Sequence, residues 1–152
     1  MSRFAAGITV VSCRIDGVDH AMTANAFTSV SLTPLLVLVC VERDARFHDA
    51  ISASEHWAVS ILPRTAESTA RWLATRGRPL EGQLDDVPHR AGEVTGAALI
   101  DGALASLECR TDAIHRAGDH DIVVGEVVSV QVAREEDSND PLIYFRRQYR
   151  DI

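Results

Sequence analysis

Alternating apolar and polar positions mark most of this chain as strand. Residues 8–15 are rich in β-branched side chains, Asp16-Gly17 is a strong turn signal, and residues 18–23 resume the pattern, so a β-hairpin is expected first. Residues 35–41 (Leu-Leu-Val-Leu-Val-Cys-Val) are apolar on both faces and follow Pro34, which predicts a strand covered from two sides at the centre of a sheet. Between these runs, positions 23–33 hold five Ser/Thr residues and one Asn and read as a polar connection.

Two short helices are expected. Residues 45–54 place Phe47, Ala50 and Ile51 on one face behind Asp44 as N-cap. The second starts at Thr65 as N-cap, carries Glu67 in its first turn and Ala70 and Leu73 inward, and ends with Arg76, Gly77 and Pro79. Residues 56–62 alternate between the helices, with Trp57, Val59 and Ile61 on one face. Residues 77–102 contain five of the nine glycines and read as a long loop with a short strand at 97–100. Residues 104–115 and 122–132, joined through Gly118-Asp119, predict a long antiparallel hairpin that aligns Val128, Val130 and Val132. A final strand is expected at 142–146 after a polar break at 135–140. The sum is six or seven strands and two helices: a mainly antiparallel α+β domain, barrel-like rather than doubly wound.

Length and composition narrow this picture. At 152 residues and 46% hydrophobic, the chain is expected to form one domain over 1–152. Its longest apolar stretch, residues 35–41, is far short of a membrane span, and the first residues do not resemble a secretory signal, so a cytoplasmic location is expected. Cys13, Cys40 and Cys109 lack disulfide or zinc spacing and read as reduced, buried thiols. A net charge of −7 argues against nucleic acid as a partner, and any phosphorylated ligand would need local arginines to offset it.

Three segments could carry chemistry. The polar run 23–33 either hydrogen-bonds a ligand edge or caps its own turns. Residues 40–48 run from a strand into a helix start with Arg43 and Arg46, so an anion could sit there; alternatively these arginines pair with Glu42, Asp44 or Asp49. Gly118-Asp119-His120-Asp121 puts a histidine between carboxylates at a turn, suited to an anionic ligand or acid/base work, or simply solvated. Nucleophile-elbow, zinc-protease, phosphate-loop and Rossmann motifs are missing. Trp57 and Trp72 read as packing residues, and His20, His48, His56, His89 and His115 as surface or loop positions.

The order of several motifs resembles the flavin reductase-like, FMN-binding split-barrel family, the small reductases of two-component flavin monooxygenases. They are Gly7-Ile8-Thr9-Val10-Val11, the run Met22 to Leu32, Leu36 to Val41, Gly118-Asp119-His120 followed by Val124-Gly125-Glu126-Val127, and Pro141 to Arg146. The resemblance implies an FMN-binding split β-barrel with a few short helices. It implies that Thr23, Ala24, Asn25, Ala26 and Ser29 lie along the flavin, that Cys40, Val41 and Glu42 form a strand end touching it, and that Arg46 and Phe47 lie near its phosphate. It also implies that His120, Tyr144, Phe145 and Arg146 meet the nicotinamide nucleotide, with His120 as the catalytic candidate. Many relatives carry a Ser-Arg-Thr type sequence where this chain has Ala45-Arg46-Phe47, without the two hydroxyls.

The activity so implied is NADH- or NADPH-dependent reduction of FMN, with FAD possible, by a homodimer that serves a partner monooxygenase. No metal and no membrane enter this reading. The alternative is a flavin- or haem-binding split-barrel carrier or sensor without turnover. An oxidase of the pyridoxamine-phosphate type would need more basic residues than the chain offers.

Overall fold

A computed structural model describes residues 3–134 and 140–150. The predicted opening hairpin is present as β2 (Thr9–Ile15) and β3 (Val18–Ala24), turning through Asp16 and Gly17 at φ +50° and +80°. A short β1 (Ala6–Gly7) precedes it. The polar run is not a connection: Phe27–Leu32 forms β4, an edge strand paired with β5 (Leu35–Glu42) across a bulge between Ser29 and Ser31. An edge strand with one open side tolerates the Ser/Thr pattern that read as loop.

One large sheet dominates, with β6 (His56–Ile61), β9 (Ala105–Ala117) and β10 (His120–Val132) completing the order β3-β2-β6-β9-β10-β5-β4. Its first and last strands, β3 and β4, are consecutive in the chain and joined only by Asn25 and Ala26. Ala24 and Phe27 lie three residues apart, so the two edges come within about 11 Å of each other there. The sheet is therefore rolled into a barrel split along that seam.

β5 lies next to the edge rather than at the centre. Val37, Val39 and Val41 enter the core, while Leu36, Leu38 and Cys40 form a half-buried outer row. The strand buried on both faces is β6, where Trp57, Ala58, Val59 and Ser60 are all inaccessible. Trp57 fills the barrel against Gly125, where an added Cβ would sit 2.5 Å from the indole ring.

Helices α1 (Arg46–Ala53) and α2 (Glu67–Ala74) occur as expected and bury Phe47, Ala50 and Ile51, and Ala70 and Leu73. Their caps differ from the expectation: Ala45 and Ala66 occupy the N-cap positions without side-chain bonds, and Thr65 falls in a 3₁₀ turn, Arg64–Ala66. α2 covers the other side of β2 and β3, closing a second core of Ile8, Val10, Ala21, Leu62, Leu73 and Leu84. The long loop is partly ordered, since β7 (His89–Ala91) pairs with β8 (Ala98–Ile100). The last expected strand is β11 (Ile143–Phe145), which pairs with β1 and with an unpredicted β12 (Gln148–Arg150). Most of the predicted polar break, residues 135–139, lies outside the described residues.

One buried charge stabilises this frame. Glu108 on β9 accepts hydrogen bonds on Oε2 from the Val94 and Thr95 amides (3.0 and 2.7 Å) and the Thr95 hydroxyl (2.7 Å). Burial pushes its carboxyl pKa up, but these bonds outweigh burial and hold it below the ordinary glutamate value. A depressed folded-state pKa contributes stability that is present above the unfolded pKa and lost as pH falls through the folded one. Replacing Glu108 with Gln leaves those donors a neutral oxygen in place of a charged one and buries an NH2 where Oε1 has no partner, which should cost about 1–3 kcal/mol at neutral pH. Chemical unfolding at a series of pH values checks this: the deficit should hold above about pH 5 and shrink below about pH 4. A deficit that grows with acid would contradict it.

Candidate functional site

A cavity of about 430 Å³ opens where the end of β5, the start of α1, the middle of β3 and the end of α2 meet. Of the residues singled out from sequence, Thr23, Glu42, Arg46 and Phe47 line it. Phe47, with Met22 and Leu73, supplies apolar wall. The cationic side holds two arginines to which no sequence motif points, Arg76 and Arg78, which Gly77 at φ +75° lets follow the helix end in a tight turn.

The three guanidiniums are held differently. Arg76 pairs with Glu42, while Arg46 donates from Nη1 to the Arg78 carbonyl at 2.7 Å. Arg78 donates from Nη1 to the Thr75 carbonyl at 2.8 Å and from Nη2 to the Ala21 carbonyl, and its buried Nε has no partner. Desolvation, and secondly the charge of Arg46, lower the pKa of Arg78. Desolvation first, then Arg46, also lower that of His20 on the same wall, against an opposing effect of Asp19. The cavity is thus a positively charged spot in a chain of net charge −7, and an anion between Arg46 and Arg78 would relieve their mutual repulsion. The local pairing foreseen for Arg43 and Arg46 does not occur: Arg43 Nε lies 3.9 Å from Asp121, and Arg46 binds a backbone oxygen.

His120 does not line the cavity; it starts β10 directly opposite Glu42, a lining residue, in the sheet register. Its Nδ1 bonds Asp119 at 2.7 Å, leaving Nε2 available to a ligand. That hydrogen bond, then the imidazole's charge, hold the Asp119 carboxyl below its ordinary value. Asn25 and Ala26 are exposed at the barrel seam, where the Ala26 carbonyl accepts the Cys40 amide at 3.0 Å. Ala24 and Val41 point into the core, so only their backbones can meet a ligand. Ser29 is exposed on β4 and Cys40 is half-buried on the outer row.

Tyr144, Phe145 and Arg146 do not line the cavity. Tyr144 and Phe145 sit in the small sheet and Arg146 in the turn after it, where the Tyr144 and Tyr149 rings meet edge-on at 5.4 Å and Arg146 stacks on Phe145 at 5.3 Å. The histidines read as surface or loop positions lie in strands or, for His48, in α1. His48 Nε2 contacts Asp121 Oδ2 at 2.8 Å, a partnership across 73 residues that no local pattern signals. Trp57 is core, as expected, and Trp72 donates to the Gln83 carbonyl at 2.7 Å. Cys13, Cys40 and Cys109 are all free thiols; Cys13 and Cys109 are buried as expected, whereas Cys40 is only half-buried because it faces the outer side of β5. Among the described residues no cluster of His, Cys, Asp or Glu could hold a metal ion, and no helix is long and apolar enough to cross a membrane.

Residues 1–152 match the family model described as flavin reductase like domain. The chain is 45% identical over 128 residues to the NADH-dependent FAD reductase of Streptomyces globisporus, covering 83% of this chain and 69% of that protein. It is 39% identical over 150 residues to the reductase component of 4-hydroxyphenylacetate 3-monooxygenase of Thermus thermophilus, covering 99% and 91%. Among solved structures, the NADH:FAD oxidoreductase of Streptomyces globisporus in complex with NAD and FAD fragments superposes with a TM-score of 0.92 at 37% identity, covering 99% of this chain and 87% of that one. The flavin reductase component of a bacterial two-component tryptophan halogenase gives 0.92 at 41%, covering 99% and 92%.

Proposed function

The chain belongs to the flavin reductase-like family, and on that premise we propose how its cavity serves nicotinamide-dependent reduction of a flavin. The chain is an enzyme of this class and supplies reduced flavin to a partner monooxygenase. The observation that carries the site reading is the juxtaposition of Arg46 and Arg78 in one cavity beside a strand end whose register partner is His120. Flavin, when bound, supplies the ring system that accepts hydride from the nicotinamide. The residues present fit such a ligand: guanidiniums for its phosphate, an apolar wall from Met22, Phe47 and Leu73, and backbone groups of residues 23–26 at the seam.

This chain's residues then have limited tasks. Arg46 and Arg78 hold the phosphate and offset the protein's negative field. Thr23 donates its hydroxyl to the Ala70 carbonyl at 2.8 Å, fixing the β3 wall against α2. His120, oriented by Asp119, positions the nicotinamide nucleotide through Nε2. No strong acid or base is required, because proximity and electrostatic complementarity do the work.

Mixing the protein with FMN or FAD, and with NADH or NADPH, under air while following nicotinamide absorbance tests the activity. Oxidation that needs both protein and flavin is expected; flavin binding without turnover would return the reading to a carrier. We read the whole of 1–152 as one such domain, at work in the cytoplasm where reduced nicotinamide is available.

The homodimer reading is supported by an apolar outer face. Leu38 and Cys40 on β5 lie opposite Val124 and Ile122 on β10, and beyond Glu126, which faces Leu36 and pairs with Arg110, Val128, Val130 and Val132 resume the apolar row at 40%, 50% and 73% exposure. Val130→Arg should halve the mass seen by light scattering, and an unchanged mass would move the interface elsewhere.

A further inference from the structure

We propose that His48 and Asp121 are positioning residues that brace the arm carrying Arg46 against the strand beginning at His120, an inference that rests on the flavin-reductase reading of the cavity. The Arg46 arm is weakly fixed by its own sequence. α1 has eight residues, its N-cap is Ala45, and no side chain caps it. It is held from outside instead. Two residues beyond Arg46, His48 Nε2–H donates to Asp121 Oδ2 at 2.8 Å, with 15% and 14% of the two side chains exposed. Asp121 adjoins His120 and lies opposite Val41, just as His120 lies opposite Glu42.

Two further ties make the junction rigid. The Arg43 amide donates to the Asp119 carbonyl at 2.9 Å, and Arg43 Nε lies 3.9 Å from Asp121 Oδ1, which has no hydrogen-bond partner. His48 Nδ1 faces exposed Asp49 at 3.5 Å. The flanking carboxylates of the Gly118-Asp119-His120-Asp121 motif therefore divide their work: Asp119 orients His120, while Asp121 reaches inward to His48. Together these contacts set the spacing between the phosphate-binding arginine and the nicotinamide-facing histidine, and a small error in that spacing is costly.

The test pairs dissociation constants for FMN and riboflavin, from fluorescence titration, with kcat and KM for the nicotinamide donor. His48→Ala and Asp121→Ala should each reduce the preference for FMN over riboflavin about tenfold and raise the donor KM severalfold, with kcat within about twofold. The double variant should be no worse than Asp121→Ala alone, because that change already removes the His48 contact. His48→Gln, whose amide can reach toward Asp121 as Nε2 does, should restore most of the preference. An unchanged FMN preference in the alanine variants, even with a lower Tm, overturns the brace, as do losses that multiply in the double variant. Should an alanine variant fail to fold, His48→Asn, too short to reach Asp121, is expected to show the same loss and is judged by the same outcomes. Wild-type protein without flavin-dependent nicotinamide oxidation overturns the flavin-reductase reading and the brace together; wild-type turnover with unchanged preference in the variants overturns the brace alone.

Discussion

Replacing Arg46 with alanine weakens FMN binding about 10- to 100-fold and leaves riboflavin nearly untouched, the loss expected when a charge-assisted contact to a phosphate is removed. The side chain is exposed and makes its one described bond to the Arg78 carbonyl, so its removal opens no core cavity. Arg78 remains, pinned by Thr75 and Ala21, and keeps part of the positive field. That residual field is why the loss should stop short of abolishing FMN binding. Titration of both flavins decides the matter: an equal loss for FMN and riboflavin would mean that Arg46 shapes the cavity rather than binding phosphate.

His120→Ala gives the second large effect, a fall of about 10- to 100-fold in kcat/KM for the nicotinamide donor with flavin affinity unchanged. The half-buried imidazole is held by an exposed carboxylate and not by the core, so the fold should tolerate the change. Asp119→Asn keeps a side-chain oxygen near Nδ1 and should cost less. Steady-state kinetics with donor and flavin varied separately distinguish the roles. A matching loss in flavin affinity would place His120 against the flavin instead.

Features set by neighbours in sequence were legible before the structure. Asp16-Gly17 and Gly118 mark their hairpins because positive φ is a local demand, met at +80° and +71° by the two glycines. The buried faces of both helices follow from spacing alone. What the sequence concealed depends on partners far along the chain. β4 looked like loop because an edge strand need not be apolar, and β5 looked central because its outer row is apolar for a reason other than burial within this chain. β7 and β12 are three residues each, too short for a periodic signal.

The site divides the same way. Arg46 was legible as an arginine at a strand-to-helix junction. Arg76 and Arg78 join it from 30 or more positions away, and their only local signal is two arginines flanking a helix-ending glycine. His48 and Asp121 carry no local signal of partnership at all.

β10 outlasts its neighbour. It pairs with β5 only from His120 to Glu126, so beyond Glu126 its backbone has β9 on one side and, among the described residues, an open ladder on the other, under the apolar row that ends at Val132. An unpaired ladder with valines on it invites indiscriminate strand addition, and natural sheets blunt such margins with charge. Solubility at high concentration should therefore depend on what covers this margin. A charged substitution there would yield a dispersed protein, whereas a small neutral one that merely loosened the cover would leave a sticky one.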